Sequence, residues 1–146
     1  PVAVAAVGSV LVDPAIATVP DIDSAAVTLV TESGKIAQIS NSRRASYGYD
    51  QRVEVHGSAG MVRADNLHET TVELATSDGY NTTPLMNFFL ERYMPAYRAE
   101  VQLFVDVVTN GAVLTATGDD GLRSLVLAEA AARSVSEGRV ISVGEI

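Results

Sequence analysis

Residues 25–40 read AAVTLVTESGKIAQIS, and this stretch sets the fold class of the chain. Its apolar residues alternate with small or polar ones on both sides of the centre, as they do in strands with one side toward a core. The four residues at the centre, ESGK, are typical of a turn. The stretch therefore predicts a β-hairpin, which is the basic unit of an antiparallel sheet.

Segments on both sides of this hairpin are also strand-like. The apolar start, PVAVAAVGSVLV, predicts a strand before it. A second hairpin is predicted around GSAG at 57–60, with QRVEVHG before the turn and MVRAD after it, and TTVELAT at 70–76 predicts a further strand. About five or six strands in succession favour antiparallel pairing over alternating βαβ units.

From residue 88 the spacing of the apolar residues changes to three and four. Phe89, Tyr93 and Tyr97 begin a stripe that continues to Val108, which predicts a helix ending at Asn110-Gly111. Pro95 predicts either a kink or a short helical turn followed by a longer helix with this proline in its first turn.

A second helix is predicted after TGDD at 117–120, capped by Thr117 or Asp119 and closed by Gly138. Glu129 and Arg133 have the spacing of a favourable i, i+4 pair. The segment RVISV then forms a last extended piece. Together these elements predict an α+β domain, an open and mainly antiparallel sheet with two helices packed on one face.

The composition limits the classes of function. Ten basic residues against eighteen acidic ones leave a formal charge of −8, which argues against nucleic acid and favours neutral partners. Cysteine is absent, so disulfides and thiolate metal sites are excluded and a reducing, cytoplasmic location is expected. The apolar start lacks the basic flank and the length of a signal peptide or a membrane span, and no membrane partner is expected. Proline stands where an initiator methionine is usual, which suggests a piece of a longer polypeptide.

The first strand is apolar at both sets of alternating positions, so both of its faces need to be covered. Two helices cover only one face of the sheet. We therefore expect the other face to meet a second subunit or another domain. The alternative is a central strand flanked by its own loops.

Most catalytic motifs are missing from the sequence. No GxGxxG or P-loop occurs, and Gly57 and Gly60 lie in a predicted hairpin turn with no helix behind them to receive a phosphate. His56 and His68 lack the spacing of a metal motif, so structural or solvated roles are predicted and no metal site is expected. No GxSxG elbow is present, and the acidic pairs at 21/23 and 119/120 stand in turn or cap contexts.

The stretch NSRRASYGYD at 41–50 has the chemistry of a binding site. In an extended segment Tyr47 and Tyr49 point to the same side, and Gly48 allows the backbone to come close to a neighbour or a ligand. A polyol needs such a surface, because a tyrosine ring covers C–H groups and its hydroxyl donates or accepts. Asn41, Arg43 or Arg44 would add hydrogen bonds.

The same stretch has a structural interpretation, in which the tyrosines pack at a sheet edge and the arginines pair with Asp50 or Glu54. Spacing favours this interpretation over the binding site.

Three longer stretches carry a resemblance to a known family. They are NSRRASYGYDQRVEVHGSAGMV at 41–62, FFLERYMPAYRAEVQLFVDVV at 88–108 and GDDGLRSLVLAEAAARSVSEGRVISV at 118–143. With them the chain resembles, over nearly its whole length, the C-terminal domain of bacterial inositol 2-dehydrogenases in the glucose-fructose oxidoreductase / inositol dehydrogenase / MocA superfamily. His56 departs from the family pattern, where an aromatic apolar residue is usual, which supports a packing role at this position.

The resemblance implies an NAD-dependent enzyme of inositol catabolism that oxidises myo-inositol, or a related polyol or sugar, by hydride transfer. Residues 1–146 would be its single C-terminal, dihydrodipicolinate-reductase-like domain, which closes one side of the substrate cleft. The free face of its sheet would pair subunits into dimers or tetramers. NAD would lie mainly on an N-terminal Rossmann domain absent from this chain, and no catalytic or cofactor-binding residue of the family is matched here.

The resemblance also implies substrate-binding residues. Tyr49 is the first of them and Tyr47 the second, and the hydroxyl would hold one carbinol so that another presents its C–H to the nicotinamide. Arg44 is a weaker candidate, expected to be held in a salt bridge that fixes the loop. Glu91 and Arg92 are expected to act as interface or loop-anchoring charges.

Two functions from different classes follow. The first is the substrate-binding and oligomerising half of an inositol dehydrogenase, which is inactive as an isolated fragment. The second is a non-enzymatic, self-associating sheet domain that acts only in assembly, with packed tyrosines and no polyol site.

Overall fold

The computed structural model describes all residues from Pro1 to Ile146 and divides them into two compact units. Residues 1–44 and 115–146 form the first unit, and residues 45–114 form the second. The first unit contains the strands β1 (Ala3–Ser9), β2 (Ser24–Val30), β3 (Ile36–Ser42) and β8 (Ile141–Ser142) and the helix α2 (Gly118–Glu137). The second contains β4 (Val53–Gly57), β5 (Gly60–Ala64), β6 (Glu73–Thr76), β7 (Gly79–Thr82) and the helix α1 (Phe89–Asn110).

These elements confirm the predicted α+β class, with antiparallel sheets and two helices. Short 3-10 turns at Pro14–Thr18 and Val143–Glu145 complete the secondary structure. Neither α1 nor α2 combines the length and the hydrophobicity that a membrane crossing requires. The assignment of residues 1–146 to one domain stays a prediction.

The hairpin predicted at 25–40 is formed by β2 and β3, which pair antiparallel from Ser24↔Ser42 to Val30↔Ile36. The Thr31 N–H donates to the Lys35 carbonyl at 2.9 Å, which closes the turn. Gly34 has φ +79°, a conformation that a side chain at this position would oppose.

The first unit is built on a four-stranded sheet in the order β3-β2-β1-β8, with every neighbouring pair antiparallel. Helix α2 packs against β1, and Val4 of β1, Ile141 of β8 and Ala130 of α2 form its fully buried core. Burying an aliphatic side chain of this size stabilises a fold by about 1.5–3 kcal/mol. Because α2 and this core lie on the side of Val4, the face that carries Val4 is the inner face of the sheet.

Strand β8 pairs with β1 at two positions only, Ala3↔Ser142 and Val4↔Ile141. Beyond them the buried hydroxyl of Ser134 accepts the Ala6 N–H at 2.8 Å and donates to the Arg139 carbonyl at 2.6 Å. A side chain of α2 thus satisfies the backbone groups that a longer β8 would have paired.

The outer face of this sheet carries no charged side chain. Its members follow from the register, because directly paired residues point to the same side of a sheet. On β1, β2 and β3 they are Ala3, Ala5, Val7, Ser9, Ser24, Ala26, Thr28, Val30, Ile36, Gln38, Ser40 and Ser42. Val7 of β1 is 70% exposed and Ile36 of β3 is 69% exposed, so the elements of the first unit leave these parts of the outer face uncovered.

Asp23 organises the chain before β2. Its buried carboxylate accepts the N–H groups of Leu11, Val12 and Asp13 at 2.8–2.9 Å and the Ser24 hydroxyl at 2.9 Å. Burial opposes its negative charge, but these donors outweigh burial and hold the pKa of Asp23 well below its usual range. The predicted hydrogen-bonding role in a turn is confirmed for this carboxylate.

Helix α2 begins and ends where the sequence predicts. Thr117 is the N-cap, and its hydroxyl and the Asp120 carboxylate form a reciprocal capping box. Gly138 ends the helix with φ +64°. The predicted Glu129–Arg133 pair is not formed, because the Arg133 guanidinium turns to Glu137 at 3.0 Å, toward the charged groups near the helix end.

The second unit holds two hairpins and α1. Hairpin β4–β5 is the one predicted around GSAG, and the predicted strand at 70–76 is shortened to β6, which pairs with β7. Helix α1 runs without interruption from Phe89 to Asn110 with Pro95 inside it, so the predicted short turn followed by a second helix is not formed. It ends at Gly111 with φ +67°, as predicted.

Candidate functional site

The segment that carries Tyr47 and Tyr49 is a turn, not an extended strand. The Gly48 N–H donates to the Ala45 carbonyl at 3.3 Å and closes this turn. The prediction that the two rings point to the same side assumed an extended segment, and that assumption is wrong. The two hydroxyls have different partners.

Gly48 provides the close backbone approach that its position between two tyrosines predicts. Its φ is +125°, and a Cβ added there would lie 2.6 Å from the Leu85 Cβ and 3.2 Å from the carbonyl oxygens of Leu85 and Met86. The next residue, Tyr49, donates its N–H to the Met86 carbonyl at 2.8 Å. The turn is thus fixed against the chain segment that leads into α1.

Tyr49 is half-buried and lies beside Tyr93, in the second turn of α1. The two hydroxyl oxygens are 3.4 Å apart, and the rings meet edge to face with centroids 5.6 Å apart. The hydrogen bond to Tyr93, with burial, raises the pKa of Tyr49. Its hydroxyl therefore stays protonated at neutral pH and is able to donate.

Tyr47 is held differently. Its hydroxyl donates to the Asp50 carboxylate, which also receives two N–H groups of Arg52 at 2.8 Å and the side-chain amide of Asn66 at 2.9 Å. Arg52, followed by Tyr47 and Asn66, holds the pKa of Asp50 well below its usual range. This cluster, which we call the Asp50 brace, occupies the only O–H donor of Tyr47. The O–H of Tyr49 is engaged only in the long 3.4 Å contact with Tyr93, so Tyr49 is the better placed of the two to donate to a ligand.

Arg44 is not held in the expected salt bridge. Its backbone is fixed by the Ser42 hydroxyl, which accepts the Arg44 N–H at 3.3 Å, but its guanidinium forms no ion pair in its own unit. The charge that pairs with Asp50 is Arg52, two residues further along the chain, where the local turn brings the guanidinium to the carboxylate.

The remaining sequence candidates take structural roles. Glu91 accepts the Asn87 N–H at 3.1 Å, which confirms it as a loop-anchoring charge, and the Arg92 guanidinium lies 5.8 Å from the centre of the Tyr93 ring. His68 contacts the Thr83 carbonyl at 2.5 Å.

The His56 side chain is 75% exposed and lies 2.7 Å from Glu54, so the packing role suggested for it is not formed. These two residues are two apart on one strand and thus share a face, which brings their side chains together. No group of three or more potential ligands could hold a metal ion.

The pattern of the sequence did not single out Tyr93 as a site residue. It falls on the apolar stripe of α1, whose spacing predicts a role in helix packing. A signal was available, since Phe89 and Phe104 show that this helix accepts phenylalanine, whereas a half-buried tyrosine needs a partner for its hydroxyl.

This chain is similar in sequence and in fold to part of several known inositol dehydrogenases. Over 143 residues the chain is 52% identical to the inositol 2-dehydrogenase of Rhizobium meliloti, a match that covers 98% of this chain and 43% of that protein. A crystal structure of a myo-inositol dehydrogenase from Corynebacterium glutamicum superposes with a TM-score of 0.88 at 40% identity, over 97% of this chain and 43% of that one. A scyllo-inositol dehydrogenase from Lactobacillus casei, solved with bound NAD(H) and scyllo-inositol, superposes with a TM-score of 0.87 at 25% identity, over 98% of this chain and 42% of that one.

The chain thus spans less than half the length of each of these relatives. Residues 2–143 match the model of the oxidoreductase family, C-terminal alpha/beta domain. This chain therefore belongs to that family, the C-terminal domain of the glucose-fructose oxidoreductase / inositol dehydrogenase / MocA oxidoreductases that its motifs resemble.

Proposed function

We propose that this chain is the substrate-binding and oligomerisation domain of an NAD-dependent dehydrogenase that oxidises myo-inositol or a related polyol. The observation that carries the proposal is Tyr49, whose half-buried, protonated hydroxyl is fixed at the start of α1 in a chain that matches an inositol 2-dehydrogenase over 98% of its length. A neutral phenol suits a neutral polyol, because it offers an apolar ring face to C–H groups and a hydroxyl to carbinols.

Tyr49 acts by orientation in this proposal. It holds one carbinol of the substrate so that a neighbouring C–H is presented for oxidation, which lowers the entropic cost of reaching the reactive geometry. Tyr47 contributes through the Asp50 brace, which fixes the turn on both sides of Tyr49. Arg44 remains a substrate-binding candidate with an unpaired guanidinium.

The hairpin glycines of this chain do not form a phosphate-binding turn. Gly57 and Gly60 belong to hairpin β4–β5, and no helix begins behind them to meet a pyrophosphate. NAD would accept the hydride, and we assign its binding mainly to a Rossmann domain outside these residues. The catalytic groups are assigned to the same place.

The outer face of the sheet supports self-association. Its strand residues are uncharged, and Ala5, Ala26 and Thr28 among them line a shallow hollow of about 690 Å³, which Arg139 also lines. The strand residues add no charge to be desolvated, and the Arg139 guanidinium is already paired with Glu137 and Glu145, so association with a second copy costs little charge desolvation. We therefore propose that subunits meet through this face as dimers or tetramers.

The test is NAD reduction by the complete two-domain protein with myo-inositol, followed at the nicotinamide absorbance, beside this chain alone. Activity in the complete protein and none in the chain supports the proposal. A Tyr49→Phe variant is expected to lower kcat/KM by the worth of one hydrogen bond, about 0.5–1.5 kcal/mol, with its circular dichroism unchanged. Complete protein that is inactive with inositols and common sugars would leave the assembly function as the better account.

A further inference from the structure

Tyr93 occupies a position that places its hydroxyl next to that of Tyr49. It lies one turn after Phe89, the first residue of α1, and its ring is also in edge contact with Tyr97, with centroids 6.2 Å apart. On the other side of the pair, the Tyr49 N–H is bonded to the Met86 carbonyl at 2.8 Å. Both rings are therefore fixed by backbone or ring contacts before any ligand arrives.

The hydrogen bonds of the pair are incomplete. Two phenols carry two O–H donors, and Tyr49 uses its donor on the Tyr93 oxygen at 3.4 Å, which is long for an O–H···O bond. The Tyr93 O–H has no acceptor in the second unit. Both residues are only half-buried, so neither side chain is enclosed in the core of its unit.

We propose that Tyr93 is a second polyol-binding residue, and that Tyr49 and Tyr93 together contact two neighbouring hydroxyl groups of one substrate. The proposal rests on the proposed function and specifies its substrate class, polyols with two adjacent free hydroxyls. Two phenol oxygens 3.4 Å apart are close enough to reach two carbinol oxygens on adjacent carbons, with Tyr93 donating to one and Tyr49 bonding to the other.

A pure packing role for Tyr93 predicts a different behaviour. The hydroxyl contributes nothing to the edge contacts with Tyr49 and Tyr97, which depend on the rings. Phenylalanine at this position would preserve those contacts and remove only the free donor. Tyr97 is the matched control, because it lies one turn further along α1 and its hydroxyl forms no hydrogen bond in the second unit.

The experiment uses the complete two-domain protein in three forms, unmodified, Tyr93→Phe and Tyr97→Phe. Each is assayed for NAD reduction with myo-inositol and with the monodeoxy-inositols that are still oxidised. With myo-inositol, Tyr93→Phe is expected to lower kcat/KM by about 2- to 13-fold, and Tyr97→Phe to leave it unchanged. With the analogue that lacks the hydroxyl bound by Tyr93, the Tyr93→Phe variant and the unmodified protein should have equal kcat/KM.

Each outcome supports or overturns the proposal. A loss that disappears for one analogue supports direct contact. An equal loss for every analogue would mean that Tyr93 acts only through Tyr49, and no loss would mean that it only packs; either result overturns the proposal while leaving the proposed function intact. Unmodified protein that oxidises no inositol overturns both.

Discussion

Gly48 provides a direct test of how the candidate site is fixed, because a methyl group added there should cost both backbone strain and side-chain overpacking. At φ +125° a residue with a Cβ costs about 1–3 kcal/mol in backbone strain. The added Cβ would also lie 2.6 Å from the Leu85 Cβ, so a further cost of about 1–3 kcal/mol comes from overpacking. We therefore expect Gly48→Ala to lower the free energy of unfolding by about 2–6 kcal/mol.

Gly79 separates the two terms. It belongs to the same unit and has a similar φ of +116°, but no atom lies within 4 Å of an added Cβ. Gly79→Ala should therefore show the backbone term alone, and the difference between the two variants gives the packing term. Urea unfolding of the chain, followed by circular dichroism, measures both.

A double variant tests the source of the clash. Leu85→Ala should not rescue Gly48→Ala, because alanine keeps the Cβ that causes the contact. Equal costs for Gly48→Ala and Gly79→Ala would refute the reasoning, since the turn would then be able to move away from Leu85 without loss.

Three further predictions follow. Asp50→Asn removes the charge at the centre of the Asp50 brace and should lower kcat/KM of the complete protein by about 3- to 10-fold, because the turn that carries Tyr49 becomes looser. The losses in kcat/KM of Asp50→Asn, Tyr49→Phe and the double variant are compared, and the two single losses should not add if Asp50 acts through Tyr49. Arg139 and the Ser142 N–H lower the pKa of Glu145 to about 2 from 4.5, so the stability that its carboxylate contributes is complete above pH 4.5 and is lost as the pH falls toward 2. The difference in Tm between the chain and its Glu145→Gln variant should therefore shrink over that range. A constant difference would contradict this prediction. Val7→Asp places a charge on the outer face of the sheet and should reduce the mass found by sedimentation velocity of the complete protein, whereas Val19→Asp, which lies outside the sheet, should not.

Features set by local chemistry were predicted well from the sequence. The turn at ESGK, the Thr117 cap and the glycines that end both helices depend on residues within a few positions of each other. Strand β7 was missed because GYNT contains no apolar alternation and pairs only through its hairpin with β6. Of the two alternatives at Pro95, the continuous helix excludes the interrupted one, because α1 runs through the proline from Phe89 to Asn110.

The candidate site depended on contacts that spacing does not encode. Tyr49 and Tyr93 are 44 positions apart, and Asp50 and Asn66 are 16 apart. Which arginine pairs with Asp50 is likewise decided by the direction of the turn. The family resemblance identifies Tyr49 as a candidate binding residue from the sequence, but only the folded structure shows that it lies beside Tyr93.

The hydroxyl of Ser134 makes the two edges of the four-stranded sheet unequal. On the β8 side the edge consists of a two-residue strand followed by a helix side chain, so no row of free backbone groups is long enough to align with an extended peptide. On the other side β3 presents seven residues with no strand beyond it. Growth of this sheet by strand addition is therefore one-sided, and a chain that joins it edge to edge must do so at β3.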